Sequence, residues 1–270
     1  MEKTSKTIFF HVGTSKTGST FLQNRIFPLL KGVTYIPTHK YRNIYTEIEK
    51  IKQNSILVSR EFDRQFEEEI EKFSKNYNNV TPIIVFRRHD QYLASQYRRF
   101  IKNGYRGEIN TFFDLENDAG YFKKIHFNYN HQINYLNQKF NQKPLVLFYD
   151  SLKENPEKFV LKLSQYLNSS LDVNTVNFNK KHGSYNEKQL KVIKTIGNVF
   201  NLRKRRIFKS ELLHLMWRFY HAIFRYSILY GAVLVPNFLI SKKPLIDSRY
   251  LEKVREYFED DWNNCKKYSS

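Results

Sequence analysis

The sequence predicts an α/β fold, a parallel sheet flanked by helices. Short apolar runs rich in β-branched and aromatic residues recur along the chain, as expected for strands buried on both faces. Stretches with helical spacing separate these runs, and strands that alternate with helices are typical of a parallel sheet. The 270 residues suffice to bury a large core without a disulfide or a metal ion.

Four runs are predicted strands, and in chain order they are 7–12 (TIFFHV), 55–59 (SILVS), 82–86 (PIIVF) and 144–149 (PLVLFY). Four stretches are predicted helices, and they are 62–77, 90–103, 155–168 and 248–264. The third has the clearest start, because Asn155 suits the N-cap and Pro156 suits the first helical position. Another helix is expected to begin at Phe21, directly after a loop at 13–20.

Composition changes near residue 200. A basic run, Arg203–Arg206, is followed by an aromatic and apolar stretch that carries further arginines and continues to residue 240. We therefore predict an α/β core at 1–200 and a helical, basic and aromatic C-terminal part at 201–270 that packs on the same domain. No apolar run reaches the length of a membrane span, and no signal peptide is apparent, so a cytoplasmic protein is expected.

Charge is the unusual property of this composition. The chain has 45 Lys and Arg against 26 Asp and Glu, a net charge of +19. This excess favours an anionic partner such as nucleic acid, phosphate or sulfate groups, an acidic polysaccharide or an anionic membrane. Cys265 is the single cysteine, which excludes an intrachain disulfide and a cysteine-based zinc site. The eight histidines show no compact ligand spacing, and we predict no metal.

The loop that follows the first predicted strand reads GTSKTGST (13–20). A strand, a loop with glycines and hydroxyls, and then a helix together form an anion-binding arrangement. In the loop of nucleoside triphosphatases, a lysine follows the second glycine. Here Ser19 occupies that position, and Lys16 comes two residues before Gly18. This order weakens the nucleoside triphosphatase hypothesis and leaves it as an alternative.

Residues 15–20 (SKTGST) resemble the 5′-phosphosulfate loop of the sulfotransferase family, with Ser15 in place of the usual proline. A second match follows the strand at 82–86, where Arg87 and Ser95 have the spacing of the family's arginine and serine. The chain departs from the family at residues 88–89, Arg-His, where Asn-Pro is usual. Residues 148–157 are similar to a structural segment of the family, and 180–184 match its late basic loop. The resemblance covers roughly residues 7–200.

The resemblance implies a sulfotransferase with a P-loop-like phosphosulfate-binding loop, using 3′-phosphoadenosine 5′-phosphosulfate as donor and no metal. The implied acceptor is a hydroxyl or amine of a glycan or glycolipid. Lys16 is the candidate cation for the leaving oxygen, and Glu61 is the candidate general base, with His89 as a second candidate. The residues expected to bind the donor are Lys16, Thr17, Gly18, Ser19, Thr20, Arg87, Ser95, Lys181 and Ser184.

Two other functions remain open at this point. A P-loop nucleotide kinase or NTPase requires an acid for Mg²⁺, which Asp150 is placed to supply. A non-catalytic basic module for anionic lipid also fits the charge, whereas no nucleic-acid motif is present and no nucleic-acid partner is expected. Residues 201–243 combine cations with Trp and Tyr, which suits peripheral attachment to an anionic membrane at its inner face. The alternative is that these helices complete the core or a dimer interface.

Overall fold

The structure, a computed structural model, describes residues 6–179, 185–202 and 208–268. Its sheet has five strands, and they are β1 (Thr7–His11), β2 (Thr34–Ile36), β3 (Ser55–Ser59), β4 (Val80–Phe86) and β5 (Leu145–Phe148). The strand order is β2-β3-β1-β4-β5, and every pair is parallel. The predicted parallel sheet is confirmed. Strand β2 was not predicted, because three residues are too few to show a hydrophobic period.

The α-helices are, in chain order, α1 (Ser19–Phe21), α2 (Ile44–Lys50), α3 (Phe66–Ser74), α4 (His89–Lys102), α5 (Ile109–Phe112), α6 (Tyr129–Lys139), α7 (Tyr149–Glu154), α8 (Pro156–Tyr166), α9 (Glu187–Val199), α10 (Glu211–Gly231), α11 (Ser248–Tyr257) and α12 (Glu259–Lys266). Helix α1 continues without a break into a π-helical turn at Leu22–Ile26 and a 3₁₀ turn at Phe27–Leu29. The other 3₁₀ turns are Thr38–Asn43, Lys124–Phe127, Val173–Thr175, Ala232–Leu234 and Asn237–Leu239.

Both faces of the sheet are covered, as the uniformly apolar strands predict. Side chains alternate along β1, so that Ile8 and Phe10 lie on one face and Phe9 lies on the other. The first face packs against α2, α3, α6 and α12. The second face packs against the helical run 19–29, α7 and α8.

Strand β1 lies at the centre of the sheet, between β3 and β4. After β1 the chain builds the sheet on one side, through β2 and β3, and then crosses to the other side to form β4 and β5. Ligands of open α/β sheets bind outside the carboxyl ends of strands where the strand order reverses in this way. The topology therefore directs attention to the loops after β1, β3 and β4.

The chain divides into two compact units. The first unit comprises Met1–Tyr92, Lys124–Asn179 and Tyr257–Ser270, and it contains the sheet. The second comprises Leu93–Lys123 and Lys180–Glu256, and it contains α5, α9, α10 and most of α4 and α11. The division into domains at residue 200 stays a prediction. Among the helices of the described ranges, none combines the length and hydropathy that crossing a membrane requires.

The single helix predicted at 248–264 is wrong, because the chain forms α11 and α12 with a break at Phe258. The Phe258 ring stacks on the His89 ring with 4.6 Å between centroids. Restarting the helix at Glu259 directs Asp261 towards the first residues of α6, where its carboxylate accepts hydrogen bonds from the Tyr129 and Asn130 amides at 2.9 and 3.1 Å. The break therefore serves to cap α6.

Candidate active site

The loop after β1 has a backbone shaped for an anion. Lys16 and Gly18 adopt left-handed conformations, with φ of 70° and 91°, and such alternation turns successive amides towards one side. A Cβ at Gly18 would lie 2.5 Å from Leu152 Cδ2, so both packing and conformation require glycine. The first helical hydrogen bond runs from Phe21 N to Gly18 O at 2.9 Å. The amides of residues 18–20 thus precede the first intrahelical hydrogen bond and have no partner within the helix.

The hydroxyl groups of the loop brace it from within. Thr17 Oγ1 donates to Thr14 O at 2.7 Å, and Ser19 Oγ donates to the same carbonyl at 3.3 Å. Both side chains are buried, whereas Thr20 is exposed. Because these two hydroxyl protons are already used, Thr17 and Ser19 offer a ligand their backbone amides rather than their side chains.

Asp63 holds the loop from the side of β3, and its role was missed by sequence reasoning. Its carboxylate accepts hydrogen bonds from Ser15 N at 3.1 Å and from Ser15 Oγ at 3.0 Å. Tyr92 OH donates to the same carboxylate at 3.3 Å. The usual proline of the sulfotransferase loop has no N–H to donate. The signal in the sequence is therefore Ser15 itself, whose amide and hydroxyl both require an acceptor.

Two adjacent arginines after β4 differ in their partners. Arg88 forms a bidentate ion pair with Asp90, at 2.7 and 2.8 Å. Arg87 lies over the Tyr149 ring, 4.7 Å from its centroid, and its Nη1 reaches Lys16 O only at 3.4 Å. Within the described ranges no carboxylate lies within ion-pair distance of Arg87. Its positive charge is thus held beside the loop without an acidic partner.

Glu61 follows β3, where the chain continues to pair with β1 and its loop. Arg60 N donates to His11 O at 2.9 Å, and Phe62 N donates to Gly13 O at 3.3 Å. Glu61 is half-buried between these two anchored residues. The segments that carry Lys16, Glu61 and Arg87 are therefore neighbours at the carboxyl edge of the sheet.

His89 is unsuited to the role of general base, because it is enclosed in the core. Its side chain is 1% exposed, and its ring also stacks on Tyr129 with 4.0 Å between centroids. The Nε2 atom contacts Phe127 O at 2.9 Å and Asp261 Oδ2 at 3.0 Å. Burial lowers the pKa of His89 despite Asp261. A neutral imidazole that fixes the start of α4 fits these contacts.

The remaining predicted donor ligands lie farther along the chain. Ser95 is half-buried in the second turn of α4 and belongs to the second unit. Lys181 and Ser184 lie outside the described residues. The described segment just before them contacts the helical run 19–29, since Arg25 Nη1 donates to the carbonyls of Asn177 and Asn179.

Three polar side chains beside the loop, those of Gln23, Ser59 and His11, contact one another in sequence. Gln23 Nε2 donates to Ser59 Oγ at 3.0 Å, and Ser59 Oγ lies 2.8 Å from His11 Nδ1. The serine hydroxyl can donate to Nδ1 or accept a hydrogen bond from it, and the second ring nitrogen of His11 is Nε2. That atom is buried without a hydrogen-bond partner among the described residues, and a Cβ at Gly13 would lie 2.9 Å from it. Burial lowers the pKa of His11 to about 4.

These residues fit a phosphorylated anion. The loop provides backbone donors, Arg87 provides a guanidinium at its edge, and Gly18 allows the left-handed turn of the loop. In residues 6–179, 185–202 and 208–268, no group of three or more His, Cys, Asp or Glu side chains is arranged to hold a metal ion.

Comparison with solved structures identifies the architecture. A sulfotransferase from Alicyclobacillus acidocaldarius superposes with a TM-score of 0.51 at 12% identity, over 70% of this chain and 91% of that one. The fold is that of a sulfotransferase. A mouse sulfotransferase complexed with PAP matches with a TM-score of 0.42 at 13% identity, over 64% of this chain and 61% of that one. No protein-family model matches the chain, and no curated protein matches it significantly.

Proposed function

We propose that the protein is a sulfotransferase that moves a sulfuryl group from 3′-phosphoadenosine 5′-phosphosulfate to a hydroxyl or amine. The observation that carries this proposal is the left-handed loop at 16–18 with the Arg87 guanidinium beside it. The backbone amides of the loop bind the 5′-phosphate, and Arg87 binds the 3′-phosphate. The sulfotransferase fold supports this assignment.

Lys16 and Glu61 divide the transfer chemistry between them. The acceptor oxygen forms a bond to sulfur as the bond from sulfur to the bridging phosphate oxygen breaks. Lys16 stabilises the negative charge that develops on that leaving oxygen, which favours the transition state over the ground state. Glu61 accepts the proton that the acceptor oxygen loses.

A hydroxyl of a glycan or glycolipid is the proposed acceptor class. The net charge of +19 suits an acceptor that is carried by, or lies close to, anionic groups. A donor generated in the cytoplasm and an acceptor assembled at the inner face of a membrane fit this proposal.

Calorimetric titration tests the donor assignment. We expect adenosine 3′,5′-bisphosphate to bind without a divalent cation, and ATP with Mg²⁺ to bind weakly. The reverse preference would contradict the sulfotransferase proposal and favour a nucleotide kinase.

Arg87→Ala and Arg88→Ala form a matched pair, because the two residues are adjacent and, among the described residues, Arg88 has a carboxylate partner and Arg87 has none. We expect Arg87→Ala to weaken adenosine 3′,5′-bisphosphate binding by roughly tenfold to a hundredfold, the size of a charge-assisted hydrogen-bonded pair. Adenosine 5′-phosphate should bind both variants alike. An equal loss with and without the 3′-phosphate would remove Arg87 from that role.

Variants of the two catalytic candidates test the chemistry. Lys16→Ala should lower turnover by about a hundredfold or more while donor affinity changes little. Glu61→Gln should lower turnover and abolish the acidic limb of the pH–rate profile. If Lys16→Ala turns over normally, the leaving oxygen is stabilised elsewhere.

A further inference from the structure

The apolar face of α10 points away from the protein. Six residues at helical spacing form one stripe along the helix, and they are Leu212, Met216, Phe219, Ile223, Tyr226 and Tyr230. All six are between 41% and 67% exposed. We call these residues the outer stripe. Leu213, Leu215, Tyr220 and Phe224 are also exposed and widen it.

The opposite face of α10 is the covered one, and it carries two histidines, a tryptophan and an arginine. His214, Trp217, His221 and Arg225 follow one another at spacings of three and four residues, and all are half-buried. The Trp217 ring lies 4.1 Å from the His221 ring. Near the end of the helix, Leu229 is buried, and its carbonyl accepts a hydrogen bond from Gln189 of α9. This orientation is the inverse of that of an ordinary surface helix.

The exposed apolar surface continues beyond α10. Leu234 and Phe238 are 86% and 84% exposed, and Leu239 is exposed beside them. With its 21 residues, α10 is about 31 Å long. Apolar patches of this extent are uncommon on monomeric proteins and mark sites of association with a partner or a membrane.

Two partners, a second copy of the chain and a membrane, are candidates for this surface, and its charge distinguishes between them. Residues 208–243 include five Lys or Arg and one acid, Glu211. A symmetric dimer would bring two copies of this cation-rich face together, and the like charges would repel. A membrane with anionic headgroups attracts the same cations, while tyrosines such as Tyr220 and Tyr230 suit the level of the headgroups.

We propose that the outer stripe of α10 docks on the surface of a bilayer that contains anionic lipid. The helix lies in the plane of the interface, its apolar side chains enter the boundary of the acyl chains, and exposed cations such as Arg218, Lys242 and Lys243 contact the headgroups. A crossing helix is disfavoured by Arg218 and Arg225 within α10. This docking is independent of the sulfotransferase proposal.

Co-sedimentation of the full chain with vesicles tests the docking. We expect binding to phosphatidylcholine vesicles that contain phosphatidylglycerol to be at least about tenfold tighter than to phosphatidylcholine alone, and to weaken as salt is raised. Equal binding to the two kinds of vesicle would overturn the proposal.

Substitutions separate the apolar and the electrostatic contributions. Phe219→Gln combined with Ile223→Gln should weaken vesicle binding by about tenfold or more. Leu161→Gln is the matched apolar control, because Leu161 is exposed on α8 in the first unit, and it should bind like the unaltered chain. Lys242→Gln and Lys243→Gln should each weaken binding to the anionic vesicles by roughly fivefold. The control for charge is Lys52→Gln with Lys158→Gln, two exposed lysines of the first unit.

Sedimentation velocity tests the competing occupant. Without lipid we expect a chain whose mass does not change when Phe219→Gln and Ile223→Gln are introduced. A dimer that these two substitutions dissociate, together with no binding to anionic vesicles, would overturn the proposal and assign the stripe to self-association. Unchanged vesicle binding by the double variant would overturn it as well.

Discussion

Helices α8 and α10 both have an apolar stripe, but the two stripes point in opposite directions. In α8 the stripe of Phe159, Val160 and Leu163 is buried against the sheet. In α10 the apolar stripe is exposed, and the covered face carries His214, His221 and Arg225. An apolar stripe in a helical sequence therefore predicts that the stripe packs against another surface. The structure then shows whether that surface belongs to the same chain.

The first and largest test of this comparison is the removal of one leucine from each helix. Leu163→Ala deletes a side chain that is 0% exposed, and we expect the free energy of unfolding to fall by about 2–5 kcal/mol. Leu215→Ala deletes a side chain that is 60% exposed, and the change should stay within about 0.5 kcal/mol. Urea unfolding measures both. Similar losses in the two variants would mean that the outer side of α10 is covered by the chain itself.

The second test concerns His11, a polar residue that is buried in the first unit. The pKa of buried His11 is about 4 in the folded protein, below its ordinary value of 6.5, so between these values the unfolded chain binds the proton more readily. The stability linked to His11 is thus complete above pH 6.5 and falls as the pH approaches 4. We expect a loss of about 2 kcal/mol from this group by pH 5.

Urea unfolding at pH 7 and pH 5 measures this loss, with His11→Gln as the variant that removes the titrating group. The difference between the two pH values should shrink in His11→Gln and stay unchanged in His39→Gln, since His39 is exposed. A pH dependence that is identical in His11→Gln and the unaltered chain would assign the acid sensitivity to other groups.

The smallest expected effect is at the brace between Asp63 and Ser15. Asp63→Asn keeps one carbonyl acceptor and loses the charge, so we expect a cost of about 1 kcal/mol in unfolding and a severalfold loss of adenosine 3′,5′-bisphosphate affinity. The control is Asp172→Asn, because Asp172 also accepts a hydrogen bond from a backbone amide, at 3.0 Å, but on an exposed turn. If Asp63→Asn and Asp172→Asn lower the nucleotide affinity equally, Asp63 does not support nucleotide binding through the loop.

Much of the fold was predictable because its signals are local. Strand β3 has the predicted bounds, and α8 starts as predicted, since the Asn155 side chain accepts a hydrogen bond from Lys158 N at 2.9 Å. The order of the strands, the edge strand β2 and the break at Phe258 depend on contacts between distant residues. The direction of the α10 stripe is of this second kind, because helical periodicity is the same whichever way the helix faces.

The candidate site divides in the same way. The loop at 13–20 and the position of Arg87 follow from short motifs placed at strand ends. The support of Ser15 by Asp63 and the stacking of Arg87 on Tyr149 join residues 48 and 62 positions apart, and no spacing rule connects them. His89 was a plausible base by residue type alone, and only its enclosure by Tyr129 and Phe258 removes it from that role.

The cap that Asp261 places on α6 has a consequence for the order in which this protein matures. Asp261 lies more than 130 positions after Tyr129 and Asn130, whose amides donate hydrogen bonds to it, and 172 positions after His89. During synthesis the β4–α4 junction, which holds Arg87, therefore emerges from the ribosome long before the carboxylate that fixes it. The nascent chain can form most of its sheet early, but the anion-binding edge gains its final contacts only once residue 261 has been made.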